Sequence, residues 1–342
     1  MKAWIIDHIS DLTVEASPLK LVDVPQPVLP NGQLLLKVLA CGVCHTEIDE
    51  IEGRTPPPRF PVIPGHQVIG LVEERSGRRK DIRNGDRVGV AWIFSTCGKC
   101  HYCLSGQENL CPDFMATGRD ANGGYAEYMV VPEDFVYAIP DIFTDAEAAP
   151  LLCAGAIGYR SISLCQLNDG QNLGLTGFGA SAHLVLKLVQ HTYPHTDVFV
   201  FARNRKEREF AMTLGCKWAG DITDKPPVLL DCIIDTTPVW TPVVEALACL
   251  KPGGRLVINA IRKEETDKES LLRLHYPWHL WMEKEIKSVA NVTRKDVEEF
   301  IRLAAGMLFK PEVEEYPFKR ANQALIDIKH RNIRGAKVLM IK

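Results

Sequence analysis

The chain has 342 residues, 46% of them hydrophobic, with a formal net charge of −3. That length supports a large buried core divided between two domains, and a near-neutral balance with no basic tract or acidic tail argues against nucleic acid as a partner. With no run of eighteen apolar residues and no export signal in residues 1–7, a soluble protein of the cytoplasm with no membrane partner is expected.

In chain order, residues 1–150 read as β-rich. Short apolar runs at 34–39 and 68–72 are broken by Gly and Pro, and the turn Asn84-Gly85-Asp86 precedes a further strand at 87–91. Four of the eleven cysteines then follow closely as Cys97, Cys100, Cys103 and Cys111. Two-residue gaps let successive thiolates curl around one small ion, and a short loop brings the fourth to complete a tetrahedron. The lobe at 95–113 is therefore expected to hold a structural zinc with no open position. The competing reading, a disulfide cluster, belongs to small secreted modules.

From about 151 strands alternate with helical patterns, which implies βαβ units and a doubly wound parallel sheet. Strands are expected at 172–176, 198–201, 232–235 and 255–259, with helices at 180–190 and 206–214. A helix at 295–307 and a closing strand at 338–341 follow. Gly177-Phe178-Gly179-Ala180-Ser181-Ala182 falls between the first of these strands and its helix. In that setting Gly177 permits a tight turn, Gly179 lets a pyrophosphate approach the backbone, and Ala182 lets helix and strand pack closely. The helix N-terminus would offer free N–H groups to phosphates. The second strand ends in Ala202-Arg203-Asn204-Arg205-Lys206, with no carboxylate before Glu207. An acid there would bind a ribose 2′-hydroxyl, whereas arginines suit a 2′-phosphate, so NADP(H) is favoured over NAD(H). Asn259 and Ala260, at the end of a later strand, complete the candidate coenzyme contacts.

Three more zinc-competent residues stand apart in the sequence: Cys44 in Cys41-Gly42-Val43-Cys44-His45-Thr46-Glu47, His66 in Pro64-Gly65-His66-Gln67, and Cys153. Spacing does not join them, and taken singly each reads as core. Together with the cysteine lobe, the stretch from Gly177 to His183 and the stretch from Trp278 to Arg294, they make the chain resemble the zinc-containing medium-chain alcohol dehydrogenases, and a bacterial subgroup of them, over essentially its whole length.

The resemblance implies an α/β fold with a β-rich GroES-like catalytic domain over 1–150, a Rossmann-type doubly wound parallel-sheet coenzyme domain over 151–290, and a return to the catalytic domain over 291–342. It also implies that Cys44, His66 and Cys153 hold a catalytic zinc with one position open, giving two Zn2+ per chain. Thr46 matches the hydroxyl that bonds the alcohol oxygen and starts a proton relay, and Asp49 stands at its outer step, where some relatives have histidine. Glu47 matches the carboxylate behind the zinc histidine, His45 a coenzyme pyrophosphate contact, and Trp92 a lining residue of the substrate pocket. Gln67 departs from the usual glutamate and brings no charge, which puts transient ligand exchange in doubt. The implied activity is that of an alcohol dehydrogenase or aldehyde reductase acting on a small, primary alcohol or its aldehyde, in a homodimer or homotetramer. Two rivals, a zinc-free quinone or enone reductase and a non-catalytic dinucleotide-binding sensor, both sit poorly with an intact ligand set.

Overall fold

The computed structural model describes residues 1–330 and 335–341, which divide into two compact units, Met1–Ala156 with Asn291–Lys342, and Ile157–Ala290. The handover falls at Ala156 and not at 150, because the residues just after 150 belong to the first core. Leu151 and Leu152 are fully buried, and the Leu152 methyl groups occupy the space a side chain at Gly89 would need.

In the first unit the hub of the sheet is the strand Gln33–Val43. It pairs antiparallel with Val68–Arg75, Tyr128–Pro132 and Ala336–Met340. Nearly all of its side chains are buried, which is why it reads as a continuous apolar run and not as an alternation. It outruns the expected 34–39 because register shifts after Leu35 and Val38 bend it onward through Cys41 and Gly42, residues with little strand signal of their own. The sheet runs Val313–Pro317, Ala336–Met340, Gln33–Val43, Val68–Arg75, Arg87–Val90, Val136–Ala138. The chain after Asn291 thus supplies two strands to the first unit's sheet, which pair parallel with each other.

Asp145–Cys165 is long and apolar enough by composition to cross a membrane, but 67% of its most apolar window is buried inside the protein. Its apolarity is that of a core segment. Cys153, at φ −131° and ψ −77°, interrupts it between the short helical turn Ala149–Leu152 and the helix Ala154–Cys165.

The second unit is a six-stranded sheet in the order Trp218–Gly220, Asp197–Phe201, Asn172–Thr176, Leu230–Asp235, Leu250–Ile258, Glu285–Ser288. Every pairing in it is parallel. In chain order this is 3-2-1-4-5-6, so the winding reverses between the first strand and the fourth. Helix Thr241–Leu247 packs Val243, Ala246 and Leu247 onto Phe199, Phe201, Ile233 and Leu256 of the sheet. Both edge strands lie outside the expected set. Trp218–Gly220 has only three residues, and all four side chains of Glu285–Ser288 are exposed, so neither leaves an apolar periodicity to read.

Candidate metal centres and coenzyme turn

The strand Gln33–Val43 ends at Cys44, which caps the helix His45–Ile51. Cys44 Sγ accepts from the N–H of Thr46 at 3.4 Å, and Glu47 Oε2 accepts from the N–H of Cys44 at 2.9 Å, a capping box with sulfur in the usual place of a hydroxyl. The other oxygen of Glu47 lies 2.7 Å from Nδ1 of His66, and both side chains are buried. A carboxylate at Nδ1 assigns the proton to that nitrogen and leaves the lone pair on Nε2. Nε2 lies 3.7 Å from Cys44 Sγ, and the ligand atoms of Cys44, His66 and Cys153 all fall within 4.8 Å of one another. The helix break at Cys153 is what turns its sulfur toward the other two, out of the regular helical path.

Gly65 makes the approach of His66 possible. Its φ is +98°, and a Cβ there would meet the Tyr125 ring at 2.3 Å and Cys41 Sγ at 2.9 Å. The electrostatics of the pocket favour a cation. A hydrogen bond with Cys153, burial and the charge of Glu47 push the Cys44 thiol well above its ordinary range. Burial opposes a charged imidazole at His66, yet Glu47 and Cys44 outweigh it and lift its proton affinity well above normal. A pocket that draws a proton so strongly draws any small cation, and two sulfurs with one imidazole nitrogen fit zinc.

The second cluster is Cys97, Cys100, Cys103 and Cys111, whose sulfurs also fall within 4.8 Å of one another. All eleven cysteines are free of disulfides. The N–H groups of Cys100 and Cys97 donate to Cys97 Sγ at 3.3 Å and to Cys111 Sγ at 3.5 Å. Backbone donation from Lys99 and Cys100 pushes the Cys97 thiol down to about 6, while burial pushes Cys111 up to about 11. Four sulfurs from one loop saturate a tetrahedral ion. Glu108, between the third and fourth cysteines, is buried and accepts from the N–H and Nε of Arg294 at 3.0 and 3.2 Å. That contact ties the lobe to the start of helix Arg294–Gly306.

In the second unit the strand Asn172–Thr176 runs into Gly177, Phe178 and Gly179, and then the helix Ala180–Thr192. Gly177 has φ +77°, and a Cβ would come within 2.9 Å of Thr236 Oγ1. Gly179 caps the helix with no side-chain bond and has open space beside it, so the first turn's N–H groups face outward. The Phe178 ring is buried 5.8 Å from Phe210, so this residue offers a ligand its backbone and not its ring. Ala182 is fully buried. The N–H of Asn259 donates to the Asp235 carbonyl at 2.7 Å, and Asn259 and Ala260 are both half-buried. Ala202 is buried, while Arg203, Asn204 and Arg205 are exposed. Asn204 caps the helix Arg205–Thr213, and Arg205 pairs with Glu209 at 2.8 Å.

The remaining candidates divide. Thr46 is half-buried beside Cys44, His45 is exposed on the first helical turn, and Asp49 is buried with Arg54 Nε at 2.5 Å. Gln67 is buried against Gly42, where a Cβ would meet its amide at 2.7 Å. Trp92 is half-buried with its ring 5.2 Å from Phe114. Sequence reading missed Arg208, which donates to the carbonyls of Ala202 and Arg203 at 2.7 and 3.1 Å and stiffens the loop after the second strand. It also missed Lys263, which pairs with the buried Asp235 and bonds the carbonyls of Thr237 and Val239 at the switch point. Charged residues near a predicted strand end look like solvated surface, so neither left a signal.

Residues 30–141 match the family described as Alcohol dehydrogenase GroES-like domain. The chain is 40% identical to "Probable alcohol dehydrogenase AdhA" of Mycobacterium tuberculosis over 346 residues, covering 100% of this chain and 97% of that one. It is 31% identical to an alcohol dehydrogenase of Geobacillus stearothermophilus, covering 100% and 99%. A solved cinnamyl alcohol dehydrogenase of Sorghum bicolor superposes with a TM-score of 0.83 at 26% identity, covering 99% of this chain and 97% of that one.

Gly65→Ala adds left-handed strain and a clash with Tyr125, so it should lower unfolding stability by about 2–5 kcal/mol in a denaturant titration. Wild-type stability would contradict this account of the turn.

Proposed function

Because this chain belongs to the zinc-type medium-chain alcohol dehydrogenase family, and so is an NAD(P)-dependent oxidoreductase of alcohols and aldehydes, we propose that it is zinc-dependent, binds two Zn2+ per chain and uses NADP(H) in preference to NAD(H). The observation that carries the zinc reading is the convergence of Cys44, His66 and Cys153 within 4.8 Å, with His66 oriented by Glu47. These three residues would hold the catalytic ion, and Cys97, Cys100, Cys103 and Cys111 the structural one. A catalytic zinc, when bound, polarises the alcohol or carbonyl oxygen as a Lewis acid.

The chain's own residues do the rest. Glu47 keeps the proton of His66 on Nδ1, so the ring binds as a neutral donor. Thr46, two residues on from the proposed ligand cysteine, accepts a hydrogen bond from the substrate hydroxyl and passes its own proton outward as it takes up that of the substrate. Asp49 is the candidate for the outer step, with Arg54 fixing where its carboxylate points. Gln67, held against Gly42, keeps its place without adding charge. Trp92 lines the side of the substrate, for which a small primary alcohol or aldehyde is the proposed class.

At the coenzyme, the N–H groups of the Gly177–Ala180 turn would bind the pyrophosphate, for which His45 is the proposed basic contact. Asn259 and Ala260 complete the coenzyme contacts. The preference for NADP(H) rests on the missing acid after the second strand and on Arg203. Arg205 already pairs with Glu209, so Arg203 is the arginine proposed to clasp a 2′-phosphate. Residence in the cytoplasm is supported by eleven cysteines without a disulfide, and a homodimer or homotetramer by the family.

Metal analysis should find two zincs per chain. Cys153→Ala should abolish alcohol-dependent reduction of the coenzyme and leave the circular dichroism spectrum unchanged. Cys103→Ala should instead lower the melting temperature, because a closed zinc site contributes folding free energy. One tightly held zinc, with full turnover in Cys153→Ala, would reject the reading. Arg203→Ala should raise the KM for NADP+ about 10- to 100-fold, the loss of a charged hydrogen bond, with little change for NAD+. Equal losses for both coenzymes would reject the clasp.

A further inference from the structure

Helix His45–Ile51 carries a second acid one turn beyond Glu47. Glu47 and Glu50 are three residues apart and so lie on one side of the helix. Glu50 is only 1% exposed, and neither of its carboxylate oxygens has a hydrogen-bond partner among the described residues. The charged groups facing it are Glu47, His66, Arg119 and Asp49. The Tyr125 hydroxyl, which responds to both Glu47 and Glu50, is likewise buried without a partner. Behind the His66–Glu47 pair the fold thus buries a second carboxylate, Glu50, near the Tyr125 hydroxyl.

A carboxylate buried without donors either takes up a proton, the direction in which burial and the charge of Glu47 push Glu50, or needs a positive charge beside it to stay ionised. Arg119 already pairs with Asp120 at 3.3 Å, and its charge is divided. His66 holds a proton that Glu47 has claimed. The positive charge left to offset Glu50 is that of an ion held by Cys44, His66 and Cys153. We propose that Glu50 is a positioning residue of the metal centre: together with Glu47 it supplies buried negative charge that the bound zinc neutralises, and so it raises the affinity of that site above what the three ligands provide alone. This inference rests on the zinc reading of the site.

The test is zinc affinity, measured on the full-length protein by competition with a chromophoric chelator, with the four-cysteine site as an internal control. Glu50→Gln keeps the shape and removes the charge. It should weaken one of the two zincs about 10- to 100-fold, the usual cost of losing a partner behind the ligands, and leave the other unchanged. Glu50→Asp, which restores the charge, should recover most of the affinity. Glu50→Leu fills the space without a polar group and serves the same comparison if the amide variant does not fold. Wild-type affinity in Glu50→Gln, equal weakening of both zincs, or no recovery in Glu50→Asp would each overturn the proposal. A wild-type protein that binds zinc only at the four-cysteine site would instead overturn the zinc reading beneath it.

Discussion

The Glu47 carboxylate sits fully buried between the N–H of Cys44 and Nδ1 of His66, and it joins two segments that are 22 residues apart. In so dry a place each of its contacts is stronger than it would be in water, and leaving either oxygen unmatched would be costly. The same group closes the helix cap, and its charge suits the positive end of the helix. One side chain therefore starts a helix, orients an imidazole and places a negative charge behind a ligand set. Moving it would disturb all three at once.

The rest of the first unit delivers residues to that carboxylate. The bent strand Gln33–Val43 carries Cys44 to the cap, and its buried run anchors the sheet against which the loops pack. Gly65 lets His66 approach by taking a conformation and a space that no side chain would allow. The interrupted helix at Cys153 brings its sulfur within 4.8 Å of the donor atoms of Cys44 and His66. The second unit solves a separate problem by the same means. Gly177 turns where a side chain would strike Thr236, and an uncapped helix start presents its N–H groups beside the reversal in strand order.

Legibility followed the range of the signal. The four-cysteine lobe and the Gly177–Gly179 turn are local patterns whose chemistry is written within a few residues, so both could be read directly. The strand and helix expected at 172–176 and 180–190 correspond to Asn172–Thr176 and Ala180–Thr192. Cys44, His66 and Cys153 are joined only in three dimensions, and only resemblance brought them together in the sequence. Glu50 had no signal at all, because an acid on a short helix looks like solvated surface until its burial is known. Phe178, a candidate coenzyme contact from its place in the glycine turn, has its ring in the core beside Phe210 and so can offer a ligand only its backbone. Edge strands such as Glu285–Ser288 owe their existence to the neighbouring strand's free backbone groups, not to their own side chains.

The most direct measurement is the zinc content and turnover of Glu47→Gln after dialysis against a weak chelator. The amide can keep the helix cap but carries no charge toward His66. If Glu47 organises the centre, the variant should lose one zinc of two and about 10- to 100-fold in kcat/KM, with its secondary structure intact. Two retained zincs with wild-type turnover would contradict the account.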